Sequence, residues 1–179
     1  MPDPASPVPA SSGASANGAF GLLGLPLRFE IEPRTVRAAW MQRAAAVHPD
    51  ATGAAEESAR VNAAYRTLVD PLARAVELLQ LRQAPVVDQR ALPEGFLLRM
   101  MELRERVDES REDPASIDAL RSEAEGERVA ALARLAEAFA SDPTGQIGTE
   151  AAQAVWIEIN VVRAFERMRE QLDREAGGT

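Results

Sequence analysis

The sequence predicts an all-α protein: an N-terminal helical hairpin unit followed by a C-terminal antiparallel three-helix bundle. Three observations carry this. From Phe20 onward, apolar residues recur at spacings of three and four, and no stretch alternates as a half-buried strand does. Prolines and small turn clusters cut the periodic pattern into segments of helical length. A proline-containing stretch, residues 83–91, divides these segments into two groups, residues 18–82 and 92–179. The 179 residues suit one domain or two small ones at about 150 residues per domain.

Residues 1–17 are mostly Pro, Ala, Ser and Gly with one charge, Asp3. Such a segment buries too little apolar surface to offset ordering entropy and reads as a disordered tail. Phe20, Leu22, Leu23 and Leu25 then make a brief helix, with Asn17 as a candidate cap and Gly24-Pro26 as its end. Pro33 suits the first position of a second helix, and Val36, Trp40 and Val47 recur along it. Pro49 forces its stop, so this helix is expected over residues 33–47. A third helix starts near residues 54–57, where Glu56 and Glu57 suit a helix N-terminus. Val61, Tyr65 and Leu68 form its apolar stripe. Asp70-Pro71 interrupts it, and the pattern resumes through Leu72, Ala75, Val76 and Leu79.

The second group begins with a helix expected over residues 92–110, carrying Phe96, Met100, Leu103 and Val107 on one face. Another is expected over 114–140 with Ile117, Leu120, Leu132, Leu135 and Phe139. After the turn cluster at 141–145 a last helix is expected over 146–175. It carries Val155, Ile159, Val162, Phe165, Met168 and Leu172. Three amphipathic helices with short connections predict the bundle. Aromatics are only 4% of a chain that is 46% hydrophobic, so the core rests on Leu, Val, Ala and Met.

Composition removes several kinds of chemistry. The chain has no cysteine, which excludes disulfides, thiol catalysis and thiolate-held zinc or iron–sulfur centres. It has one histidine, His48, so no multi-histidine metal site is possible, and no cofactor is expected. All 20 basic residues are arginine against 28 acids, a net charge of −8 that argues against a phosphate-neutralising nucleic-acid surface. No apolar run reaches the roughly 18 to 20 residues of a membrane span, and no secretory signal opens the chain. A cytoplasmic location is the expectation.

Charge is unevenly spread. Residues 18–82 hold 8 Arg and 7 acids, whereas residues 86–179 hold 12 Arg and 20 acids. The segment from Pro33 to Val47 carries Arg34, Arg37 and Arg43 and no acid. It runs into His48-Pro49-Asp50, a tripeptide that chance would place in such a chain roughly once in a hundred cases. Pro49 fixes the local backbone and lacks an N–H. Asp50 is an acceptor suited to a partner arginine, and the three arginines suit an acidic surface. Taken alone, His48-Pro49 also serves simply to end a helix, with Asp50 capping the next turn. A catalytic dyad of His48 and Asp50 is disfavoured, because residues flanking a rigid proline seldom hydrogen-bond to each other.

A basic helix ending in HPD before an antiparallel partner helix resembles the J-domain of DnaK-class co-chaperones. The resemblance sharpens beyond the motif. The run Val61-Asn62-Ala63-Ala64-Tyr65-Arg66-Thr67-Leu68, then Asp70-Pro71-Leu72, Arg74-Ala75 and Leu78-Leu79, is similar to the HscB family, as is the opening Phe20, Leu23, Gly24, Leu25 and Pro26. The likeness spans about residues 19–175. The positions just before and after HPD depart from common J-domain usage, with Ala45, Ala46 and Val47 before it and Ala51 after it.

That resemblance implies a J-domain packed on a three-helix bundle, with no covalent chemistry of the chain's own. It implies a DnaK-class ATPase partner (HscA-like), met by His48, Pro49, Asp50, Arg34, Arg37 and Arg43. It also implies an IscU-type iron–sulfur scaffold, bound by the first helix of the bundle, while an alternative keeps the J-domain and changes the client. On that helix Leu97, Leu98 and Met101 lie off the core stripe, and Glu102, Glu105 and Glu109 continue their side as an acidic strip. By the resemblance these six are the scaffold contacts, joined by Val161 on the last helix. Without the family, a wide apolar face is as readily core, and surface acids as readily a solvated face.

Overall fold

Where each helix begins and ends follows from a few local devices. The computed structural model describes residues 17–47, 52–140 and 145–177, and the side chains of these up to Glu175. The N-terminal tail before Asn17, the tripeptide His48-Pro49-Asp50 with Ala51, and most of the turn cluster after Ala140 lie outside the described residues. Seven helices occur among the described residues, and no strand. The chain divides into two units, Met1–Leu81 and Arg82–Thr179.

In the first unit α1 spans Gly18–Leu23, α2 Pro33–Ala45, α3 Ala54–Val69 and α4 Pro71–Leu81. Gly24 adopts φ 66° and closes α1, with the Leu25 N–H reaching back to the Phe20 carbonyl at 2.8 Å. Asn17 makes no side-chain capping bond; instead the Glu77 carboxylate of α4 accepts the Ala19 N–H at 2.8 Å. α2 stops at Ala45, two residues short of the expected Val47. Its end tightens into 3.2 Å bonds from Ala46 to the Arg43 carbonyl and from Val47 to Ala44. Asp70 separates α3 from α4 and caps the latter, its Oδ1 accepting the Leu72 N–H at 2.8 Å. Phe20, Val36, Val61, Leu68 and Leu78 are fully enclosed at the centre. Arg74 is buried with them: Nη1 donates to the Leu68 carbonyl at 2.6 Å, and the guanidinium lies over the Phe29 ring. Burial lowers its pKa, opposed by the nearby Asp70 charge.

In the second unit α5 spans Phe96–Glu109, α6 Pro114–Ala140 and α7 Thr149–Gly177. α5 starts four residues later than expected because Gly95, at φ 72°, turns the chain after Pro93. Asp113 caps α6, accepting the Ala115 N–H at 3.1 Å and the Ser116 hydroxyl at 2.6 Å. At the other end of α6 the buried Arg82 donates to the Phe139 carbonyl at 3.4 Å and covers the Phe139 ring. Ion pairs Arg134–Glu158, Arg121–Asp173 and Arg169–Glu125 set α6 antiparallel to α7. Arg99–Glu127 and Arg106–Glu123 set α5 antiparallel to α6.

The six apolar residues expected to face inward on α7 are all buried. Ala124 and Ala131 of α6 and Ala152 of α7 are fully buried, and α6 and α7 pack closely along their lengths. α5 instead meets the bundle through larger groups, with Phe96 edge-on to Phe165 at 5.9 Å between centroids. The stretch before α5 is strapped to α7: Gln153 donates to the Asp88 carbonyl at 2.9 Å, and Asn160 donates to the Gln89 and Ala91 carbonyls at 2.9 and 3.0 Å.

Candidate functional site

Two surfaces contain the residues singled out from the sequence. The first is α2 with its partner α3. Arg34, Arg37 and Arg43 are all exposed on α2. They are not equivalent, however. Arg34 pairs with Glu32, and Arg43 Nη2 pairs with Glu57 Oε1 at 2.7 Å. Among the described residues Arg37 has no ion pair. The α2–α3 hairpin is held by that Arg43–Glu57 bridge near the end where the chain passes from α2 to α3. One turn further back, Trp40 stacks against Tyr65 at 5.0 Å and donates its Nε1–H to Asn62 Oδ1 at 2.9 Å. Trp40 thus packs between helices, and also ties their register through a hydrogen bond. His48, Pro49 and Asp50 follow this hairpin end in sequence and lie outside the described residues.

The second surface is α5. Phe96, Met100, Leu103 and Val107 are buried. Leu97, Leu98 and Met101 are 66%, 62% and 58% exposed, and Glu102, Glu105 and Glu109 are exposed beside them. At about 100° per residue these six fall within an arc of about 140°, centred nearly opposite the buried stripe. The helix therefore shows solvent a contiguous patch of three large apolar side chains followed along its length by three carboxylates. Patches of this kind mark contact sites more often than isolated exposed leucines do.

Val161 departs from the other six. It is 2% exposed, buried beside Val162, and only edges a shallow pocket with Phe96 and Phe165. α7 is covered on two sides by α5 and α6, and that widens its buried face to take in both consecutive valines.

The structure also brings together residues that the sequence did not single out. Between α5 and α7 runs a groove of about 520 Å³, floored by apolar side chains including Leu97 and Met101 and edged by Arg90, Arg104, Arg163 and Arg167. Among the described residues no group of three or more His, Asp or Glu side chains is placed to hold a metal ion, and no helix is long and apolar enough to cross a membrane.

The distinctive surfaces among the described residues are helix faces, the exposed arc of α5 and the arginine-bearing face of α2. Residues 92–156 match the family described as the HSCB C-terminal oligomerisation domain. The chain is 39% identical over 160 residues to the co-chaperone protein HscB homolog of Bordetella pertussis, covering 80% of this chain and 92% of that one. Its fold is similar to that of chaperone HscB from Vibrio cholerae, with a TM-score of 0.73 at 25% identity over 90% of this chain and 98% of that one. Human co-chaperone HscB shares the fold with a TM-score of 0.74 at 20% identity over 97% and 86% of the two chains. The chain belongs to the HscB co-chaperone family.

Proposed function

We propose that this protein binds an IscU-type iron–sulfur scaffold through α5 and stimulates ATP hydrolysis by a DnaK-class chaperone, HscA-like, through the HPD end of the α2–α3 hairpin. It acts in the cytoplasm and catalyses no covalent step itself. The observation that carries this reading is the outward arc of α5. Leu97, Leu98 and Met101 remain open to water although the same helix buries four apolar residues on its other side. Exposed apolar area of that size is stabilised when a partner covers it. Glu102, Glu105 and Glu109 provide charge for a basic rim on that partner.

On the other surface, His48, Pro49 and Asp50 carry the signal to the ATPase. Arg37, which has no ion pair among the described residues, is the arginine of α2 most available to an acidic partner. Arg34 and Arg43 contribute after exchanging their present carboxylates, Glu32 and Glu57. The boundaries proposed for the working parts are residues 18–82 for the J-domain, 83–91 for the linker and 92–179 for the scaffold-binding bundle.

Steady-state ATP hydrolysis by a DnaK-class chaperone of the same organism tests the whole reading. Wild-type protein is expected to raise the rate, the scaffold to raise it further, and His48→Gln to abolish both effects. Stimulation that the scaffold does not augment would leave the J-domain in place and assign the bundle to another client. No stimulation by the wild type would refute the reading.

A further inference from the structure

The arginines of the second unit differ in their partners. Arg99, Arg106, Arg111, Arg121, Arg128, Arg134 and Arg169 each pair with a carboxylate. Five others after Arg82 have no ion pair among the described residues; Arg90, Arg104, Arg163 and Arg167 edge a groove between α5 and α7, and Arg174 does not line it. No acid lines that groove. In a segment holding 12 Arg against 20 acids, four unpaired guanidiniums gathered around one apolar trough form a local reversal of the protein's sign.

From this we infer that the groove receives an acidic segment of the client protein, one in which carboxylates flank an apolar side chain. Guanidinium forks match carboxylates with two parallel hydrogen bonds, and the apolar floor accepts the side chain between them. The groove is continuous with the α5 patch, since Leu97 and Met101 belong to both. The inference rests on the reading that α5 carries the client face. It adds a polarity to that face. The client meets the glutamates of α5 with a basic region and the α5–α7 groove with an acidic one, and its orientation on the helix is thereby set. A single-sign surface lacks this property, because either orientation satisfies it.

The test uses the full chain and fluorescence anisotropy. The probe is a fluorescein-labelled peptide in which glutamates alternate with leucines, and the control is its glutamine–leucine counterpart. The glutamate peptide is expected to bind about tenfold more tightly than the glutamine peptide at low salt, with the preference shrinking as salt rises. Arg104→Ser combined with Arg167→Ser is expected to remove the preference. Both side chains are exposed, and circular dichroism is expected to show the helices unchanged. Equal binding of the two peptides, or a preference that survives the double substitution, overturns the proposal.

Competition with an unlabelled IscU-type scaffold then identifies the occupant. Displacement of the glutamate peptide, with scaffold affinity about tenfold lower in the double variant, supports the proposal. Suppose the scaffold binds in a Leu97-dependent way yet leaves the peptide seated. The inference then fails while the function reading stands. A scaffold that does not bind the wild type at all overturns both.

Discussion

Truncating the outward leucine and methionine of α5 should separate stability from binding. Leu97 is 66% exposed and Met101 58%, so only about a third to two fifths of each side chain is withdrawn from water in the free protein. A fully buried side chain of this size contributes about 1.5–3 kcal/mol, so Leu97→Ala and Met101→Ala should each cost below about 1 kcal/mol of folding free energy. Alanine's better helix propensity reduces the cost further. On docking, the exposed remainder is buried, and each truncation should then weaken scaffold binding by about 1–2 kcal/mol, roughly fivefold to thirtyfold. Leu103, 4% exposed on the opposite face, is the control: Leu103→Ala should cost about 2–5 kcal/mol of stability. Urea unfolding measures the first quantity and isothermal titration with the scaffold the second. A loss of stability at Leu97 as large as at Leu103 would show that the patch is not open. Unchanged affinity in the Leu97→Ala, Met101→Ala double variant would refute the docking argument.

Three further outcomes follow from particular contacts. Gly126 sits exposed in the interior of α6, and a Cβ built there meets nothing within 4 Å; Gly126→Ala should therefore raise stability by about 0.5–1 kcal/mol, read as a higher unfolding midpoint. Ala131 of α6 is fully buried, so Ala131→Leu should cost about 1–3 kcal/mol by overpacking the core, again by urea unfolding. The Ser116 hydroxyl and the Ala115 N–H hold Asp113 below the usual carboxylate range, and bonds from Arg106 and Arg128 do the same for Glu123 and Glu125. Depressed carboxylates stabilise the fold fully above their unfolded-state values and lose that contribution as pH falls through the folded ones. Thermal stability should therefore hold above about pH 5 and decline below about pH 4, with a smaller decline in Asp113→Asn.

The inward register of α5 was legible because Phe96, Met100, Leu103 and Val107 repeat at i, i+4, i+7 and i+11, a spacing only a helix face satisfies. The outward patch was legible only as the remainder, and its weight came from the family resemblance. Helix starts were harder to place. Leu92 fits the apolar pattern, but Pro93 and Gly95 impose a turn that periodicity does not register. The burial of Val161 is not legible from spacing, because adjacent valines have no period of their own and a helix packed on two sides buries both. The arginine groove was invisible for a different reason. Asp108 follows Arg104 by four residues, the spacing of a helical ion pair, yet Asp108 bonds Arg111 at 2.8 Å and leaves Arg104 to the groove. Which arginines stay unpaired is settled by choices between near-equal neighbours, and one-dimensional spacing does not decide them.

Those choices give α5 a sided character with a physical origin. Arg99 and Arg106 point toward α6 and are consumed by Glu127 and Glu123, so the flank of α5 nearest α6 presents its remaining charges, Glu102 and Glu109, to solvent. On the flank nearest α7 no acid stands opposite Arg104. Arg163 and Arg167, of the same sign, line the groove with it, and carboxylates of a docked client would offset their mutual repulsion. The apolar side chains lie between these two flanks. A client that covers Leu97, Leu98 and Met101 in the correct sense neutralises both flanks at once; turned end for end, it sets like charges together on each. On the proposed reading, the hydrophobic patch would provide most of the attraction, and the unequal pairing of arginines across the bundle would decide which way round the client sits.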